Sequence, residues 1–279
     1  MNLALFRSLL IIVLLLHSSA EAFAQTPPQP WLGVILEKTT IIDDQGVVIE
    51  NVLRNSPAIK SDLRPGDRII SINGEPVNSL GKLQMLLRGQ DAQATVKIVV
   101  IRKGKRLESS VALAPAPAMH QLIEDQLLDQ LAPSFAFETV APASRALDLS
   151  SMKGKPTIVE FWATWCTPCK AVAADLGAIA SKYGDRIHIV GISSEPAKTI
   201  TQYAAQHGAA YLLAHDLGER GHAAFFVRTY PIAFLLDAEH RVIGIYIGTE
   251  QRAKIEARLD KLLEPDPLPS KVINGQERQ

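Results

Sequence analysis

The chain carries two cysteines, Cys166 and Cys169, both inside the stretch TIVEFWATWCTPCKAV at residues 157–172. A pair at this spacing can be a structural staple, half of a metal site, or a redox couple. As a staple it would close a very small loop, from which a disulfide gains little entropic stabilisation. As half of a tetrahedral zinc site it would need two further good ligands. The chain has seven histidines, but none forms an H-x3-5-H pair and there is no second cysteine motif. The redox couple is the favoured reading.

The elements around the pair support it. TIVEFWA is a near-continuous apolar run, the pattern of a strand covered on both faces. A helix is expected over 167–183, with Val172, Leu176, Ile179 and Tyr183 on one side. Cys166 then sits at the helix N-terminus, where free N–H groups and the dipole favour a thiolate. Pro168 suits the first turn, which needs no N–H from it. Cys169, in that turn, is expected to be shielded, leaving Cys166 as the exposed sulfur. Further on, RTYPIAFLLD opens a strand at Pro231, and Tyr230-Pro231 is a candidate cis bond.

Strand and helix alternate over residues 132–264, which reads as an α/β domain. Residues 31–113 differ: short β-branched runs (WLGVILE, GVVIENVL, DRIISING, ATVKIVVIRKG) are broken by Gly, Asn and Pro. Two helical patterns lie among them, one starting at Ser56 and one ending at Gly89. This is a mostly β domain. Residues 114–131 begin as an Ala-Pro spacer. They continue with Met119, Leu122, Ile123, Leu127, Leu128 and Leu131 at helical spacing. That stripe is expected to pack on a neighbouring domain, a dimer seam being the alternative. Residues 265–279 form a polar tail.

The N-terminus sets the compartment. Arg7 precedes the apolar run SLLIIVLLL, and Ala22-Phe23-Ala24 gives a small-residue cleavage pattern, so residues 1–24 read as a secretory signal. An uncleaved membrane tether is the alternative. Export to an oxidising compartment such as a periplasm is expected either way. Acidic and basic residues number 29 each, so no basic field exists to hold nucleic acid. No cofactor or metal is expected.

The second domain resembles the thioredoxin fold and, within it, the exported TlpA/ResA-like thioredoxins. The resemblance rests on APSFAFETV, LDLSSMKGKPTIVEFWATWCTPCK and RTYPIAFLLDAEHRVIGIYIG. It implies that Cys166 attacks a substrate disulfide, that Cys169 resolves the mixed disulfide, and that Pro231 is a cis-proline beside the sulfurs. Tyr230 would offer backbone hydrogen bonds to the substrate chain. Glu160 occupies the place of the buried acid of thioredoxins proper, which helps deprotonate the resolving thiol. Many TlpA-like sequences carry a neutral residue there, so this chain departs from them. A partly solvated carboxylate at the strand end is the alternative. Trp162 and Trp165 are read as shaping the surface round the sulfurs or as packing, Lys170 as a solvated lysine or a thiolate partner, and His215 and His222 as surface histidines.

WLGVILE with NSPAIKSDLRPGDRIISINGEPVNSLGKLQMLL resembles a PDZ domain of the bacterial HtrA type. It implies a peptide groove beside Leu32, Gly33 and Val34, closed by Leu83 and Leu86 or Leu87, in which a peptide adds a strand. Plain core is the alternative for these residues. The two domains together imply an exported thiol–disulfide oxidoreductase that reduces protein disulfides. Its partners would be protein substrates, a peptide or C-terminal ligand for the groove, and an electron-donor thiol protein, expected to be membrane-borne. An oxidase or isomerase, or a non-enzymatic adaptor, are the alternatives.

Overall fold

The computed structural model describes residues 28–37 and 46–264; the expected signal segment and the polar tail lie outside the described residues. The first domain holds β1 (Pro30–Trp31), β2 (Val34–Leu36), β3 (Val47–Val52), α1 (Pro57–Lys60), β4 (Arg68–Ile72) and β5 (Glu75–Pro76). Then follow α2 (Leu80–Arg88), β6 (Thr95–Arg102), β7 (Lys105–Ala112) and β8 (Ala114–Pro115). The main sheet runs β2-β3-β4-β6-β7, with β5 on β4, while β1 pairs with β8. Val96, Ile98 and Val100 alternate inward along β6 and meet Ile49, Ile69 and Leu83 in one core. Ser56 and Ser79 cap the two helices as their sequence positions imply. The Ala-Pro spacer starts later than the sequence reading placed it, because Ala114 and Pro115 are paired to Trp31 and Pro30.

Gly33 has a structural reason to be glycine. Its φ is +80°, and a Cβ there would lie 2.2 Å from the Ser56 Cβ. The carbonyls on this loop are also engaged: Leu53 N–H donates to Gly33 O at 2.9 Å and Ala58 N–H to Leu32 O at 3.0 Å. Gly33→Ala should therefore destabilise the first domain by about 2–4 kcal/mol through strain and overpacking. In urea unfolding of the full chain, the transition of that domain should move to lower denaturant. An unmoved midpoint would contradict the packing described.

The connector helix α3 (Met119–Leu127) is fastened at both ends of the molecule. Ile123 and Leu127 enter the core of the second domain. Beyond them the chain continues the pairing, with Asp129 N–H donating to Val242 O and Val242 N–H to Gln130 O, each at 2.8 Å. Towards the first domain, the Gln126 side chain accepts from Arg54 N–H at 2.9 Å and donates to Arg54 O at 3.1 Å. Asn55 Nδ2 donates to Asp125 at 3.2 Å. The apolar stripe is narrower than its spacing suggested: Leu128 and Leu131 stay exposed because the helix ends at Leu127, and Met119, at its first position, is exposed too.

The second domain holds β9 (Ala136–Ala141), β10 (Arg145–Asp148), β11 (Thr157–Phe161), α4 (Thr167–Tyr183), β12 (His188–Ser193) and α5 (Ala197–His207). It closes with β13 (Leu212–Asp216), α6 (Arg220–Ala224), β14 (Ile232–Leu236), β15 (Val242–Ile247) and α7 (Arg252–Leu263). The sheet order is β10-β9-β13-β12-β11-β14-β15. β11 sits centrally, parallel to β12 and antiparallel to β14, and all five of its residues are buried. Val159 and Phe161 face the core that receives α3, while Ile158 faces the one beneath α4 and α7. Alternation puts Glu160 on the Ile158 side.

Candidate active site

β11 delivers the chain straight into α4, and Cys166 is the N-cap of that helix. Its sulfur accepts the Cys169 N–H at 3.2 Å, a donor shared with Cys166 O at 3.1 Å, so a helix-terminal N–H points at the atom that would carry thiolate charge. Cys166 and Cys169 form a disulfide with their Cα atoms 5.3 Å apart. Cys166 is 4% exposed and Cys169 2%, which corrects the expectation of one open and one shielded sulfur. In the oxidised pair Cys166 and Cys169 cluster with Trp162 and Ala163, and Tyr230 packs on them.

The loop ahead of the pair is held by a residue that sequence reasoning missed. Glu195 accepts from Thr164 N–H at 2.6 Å and from the Thr164 hydroxyl at 2.7 Å, and Ser193 donates to it at 3.2 Å. This bidentate grip across 31 positions leaves no local sequence signal.

Glu160 is fully buried, which removes the alternative of a solvated strand-end carboxylate. One of its oxygens accepts from Tyr211 O–H at 2.7 Å; the other is buried without a partner. Burial lifts its carboxyl to about 7, against the opposing pull of the Tyr211 bond. The Tyr211 phenol is itself pushed well above its usual range by burial and by the neighbouring Glu160. Tyr211 was not legible as a partner, since it lies 51 residues from Glu160, just ahead of β13.

Trp162 is packed rather than surface-shaping: it is buried, tilted on Tyr203 at 5.0 Å. Trp162, Lys170, Tyr203 and Tyr211 line a cleft of about 710 Å³ between α4 and the end of α5. Lys170 is exposed there. Trp165 is the opposite of Trp162, 70% exposed, with its ring edge-on to Tyr230 at 5.7 Å. The Tyr230-Pro231 peptide is cis, as is Ala141-Pro142. His215 is half-buried, its Nδ1 2.8 Å from Glu195 O. His222 departs from the surface reading: it is 7% exposed, enclosed among Phe161 and Tyr230.

In the first domain β2 is an edge strand, paired among the described residues only to β3. Val34 on it and Leu86 and Leu87 on α2 are half-buried, whereas Leu32 and Leu83 are core residues. Leu32 and Leu83 therefore act as packing beneath the groove rather than as open lining, because each faces the hydrophobic interior of the domain.

A Cys-x-x-Cys disulfide capping the helix after a central strand, a buried acid on that strand and a cis-proline define a thioredoxin-fold thiol–disulfide oxidoreductase. Residues 30–113 match the PDZ domain family and residues 128–245 the AhpC/TSA family. Among curated relatives, the thiol-disulfide oxidoreductase ResA of Geobacillus kaustophilus is 30% identical over 117 residues, covering 41% of this chain and 67% of that protein. The thioredoxin-like protein YneN of Bacillus subtilis is 27% identical over 136 residues, 47% of this chain and 78% of the relative. A thioredoxin-family thiol:disulfide interchange protein from Chlorobium tepidum superposes with a TM-score of 0.43 and 27% identity, over 48% of this chain and 96% of that one. The chain belongs to the ResA-type thiol–disulfide oxidoreductases and carries a PDZ domain ahead of the catalytic one. That membership replaces the adaptor alternative.

Proposed function

We propose that the chain is an exported reductase of protein disulfides, to which the PDZ domain brings the substrate. Cys166 attacks, Cys169 resolves, and Glu160 takes the Cys169 proton for the second exchange. Trp165 and Tyr230 flank the substrate chain, with Pro231 beside the sulfurs. The observation that supports recruitment is the outer edge of β2, which among the described residues pairs with no strand and would take an added peptide strand next to Val34. Export is supported by the Arg7, apolar-run and Ala22-Phe23-Ala24 pattern at residues 1–24. Among the described residues no helix is long and apolar enough to cross a membrane. A separate thiol protein, membrane-borne in this reading, would regenerate the dithiol.

The reduction potential of the Cys166–Cys169 pair, equilibrated against glutathione, tests the direction. A reductase should fall near the thioredoxin value of about −270 mV. A value near about −120 mV would mark an oxidant and overturn the reading.

A further inference from the structure

His222 sits where a phenyl ring would be at home, 4.9 Å from the Phe161 ring centroid and packed on Tyr230. Burying an imidazole there costs desolvation unless its nitrogens are used. Both are. Nδ1 is 2.6 Å from Asp216 Oδ2, and Nε2 is 2.8 Å from the Tyr230 hydroxyl. Asp216, itself buried, also accepts Gly221 N–H at 3.0 Å and His222 N–H at 2.8 Å. Burial alone would raise its carboxyl; the bonds from His222 and Gly221 override that and hold it below the usual range. An ionised Asp216 can only accept, so Nδ1 carries the proton that faces it, and Nε2 shares the second hydrogen bond with the Tyr230 hydroxyl. The backbone bonds account for Asp216 as a cap on α6. They do not account for His222 reaching on to Tyr230.

Tyr230 is the residue before Pro231, packs over the Cys166–Cys169 cluster and meets the exposed Trp165 edge-on. We propose that Asp216 and His222 are positioning residues for substrate. They fix the Tyr230 ring, and through it Trp165, as a side wall that holds a protein disulfide against Cys166. This rests on the reading of Trp165 and Tyr230 as substrate-flanking.

The test uses the full chain with insulin as the protein disulfide and cystamine as a disulfide too small to span the wall. Asn at position 222 can still reach Asp216 but not Tyr230, whereas Gln reaches Tyr230. His222→Asn and Tyr230→Phe should lower the preference for insulin over cystamine by roughly three- to tenfold, the worth of one hydrogen bond, through KM rather than kcat. His222→Gln should recover most of that preference. Equal effects of Asn and Gln, or insulin and cystamine slowed alike, would overturn the proposal. Should His222→Asn fail to fold, Tyr230→Phe still breaks the same bond from its other end. Trp165→Ala separates the two readings. If it lowers the insulin preference while His222→Asn and Tyr230→Phe do not, only the positioning role falls; if it too leaves the preference intact, the wall itself is wrong.

Discussion

Cys169→Ser should freeze the enzyme on its substrates, and Cys166→Ser should abolish exchange, slowing it at least about a thousandfold. In the reductase direction proposed above, the Cys166 thiolate would attack one sulfur of a substrate disulfide and the other would leave as a thiolate. The Cys169 thiolate would then attack the Cys166 sulfur, the second substrate sulfur would depart, and the Cys166–Cys169 bond of the present structure would result. A serine at 169 cannot take the second step, so the mixed disulfide accumulates. A serine at 166 cannot take the first. Non-reducing gels of cells producing each variant should show adducts with Cys169→Ser and none with Cys166→Ser; adducts through Cys169 instead would reverse the assigned order. The same trap reads out the PDZ domain. Adding Val34→Asp to the β2 edge should thin the adducts while leaving insulin reduction by the otherwise native chain intact.

Glu160→Gln is expected to trade stability against rate, with opposite signs. Folded, Glu160 holds its proton up to about 7; its ordinary value is 4.5. Between those values the unfolded chain releases the proton and the folded one keeps it, so stability falls as pH rises and the deficit levels off above about 7. Its full size corresponds to about 3 kcal/mol. The glutamine carries no such penalty. The variant should match the native protein below pH ~4 and exceed it by roughly 2–3 kcal/mol above pH ~8 in chemical denaturation with the disulfide intact. Turnover should move the other way. Without a base on the α4 side of the sheet, resolution by Cys169 should slow about a hundredfold, and the inflection near neutrality should vanish from the pH–rate profile. A variant no more stable at high pH would mean that Glu160 is not charged in isolation there. Unchanged turnover would remove it from the proton path.

Much of this was legible because the decisive signals are local. The bounds of α4 follow from Cys166 as cap, Pro168 in the first turn and the Val172-Leu176-Ile179-Tyr183 face, and the helix forms over those residues. Pro231 opening an apolar run located β14, the order of strands and helices gave the class of each domain, and sequence motifs carried the resemblance of each to its family. What stayed hidden depends on residues far apart in the chain. Tyr211 on Glu160, Glu195 on Thr164, and the line from Asp216 through His222 to Tyr230 are contacts made where segments remote in sequence meet at the ends of the strands. No periodicity encodes them. His222 was misread because a histidine in a short glycine- and alanine-rich helix looks solvated until the segment carrying Tyr230, ahead of β14, is folded over it. The exposure of Cys166 was misjudged for a different reason: helix position places a sulfur at the N-terminus but says nothing of the Trp162, Ala163 and Tyr230 side chains that cover it.

Modular order along the gene product and modular order in space do not coincide here. Ile123 and Leu127 precede the thioredoxin-like repertoire of strands, yet they plug its interior. A fragment begun at residue 132 to isolate the catalytic half would lose that plug and open a greasy hollow to water. The natural place to divide the polypeptide is the Ala116–Ala118 segment upstream of α3, and swapping in a foreign PDZ partner would have to respect that seam.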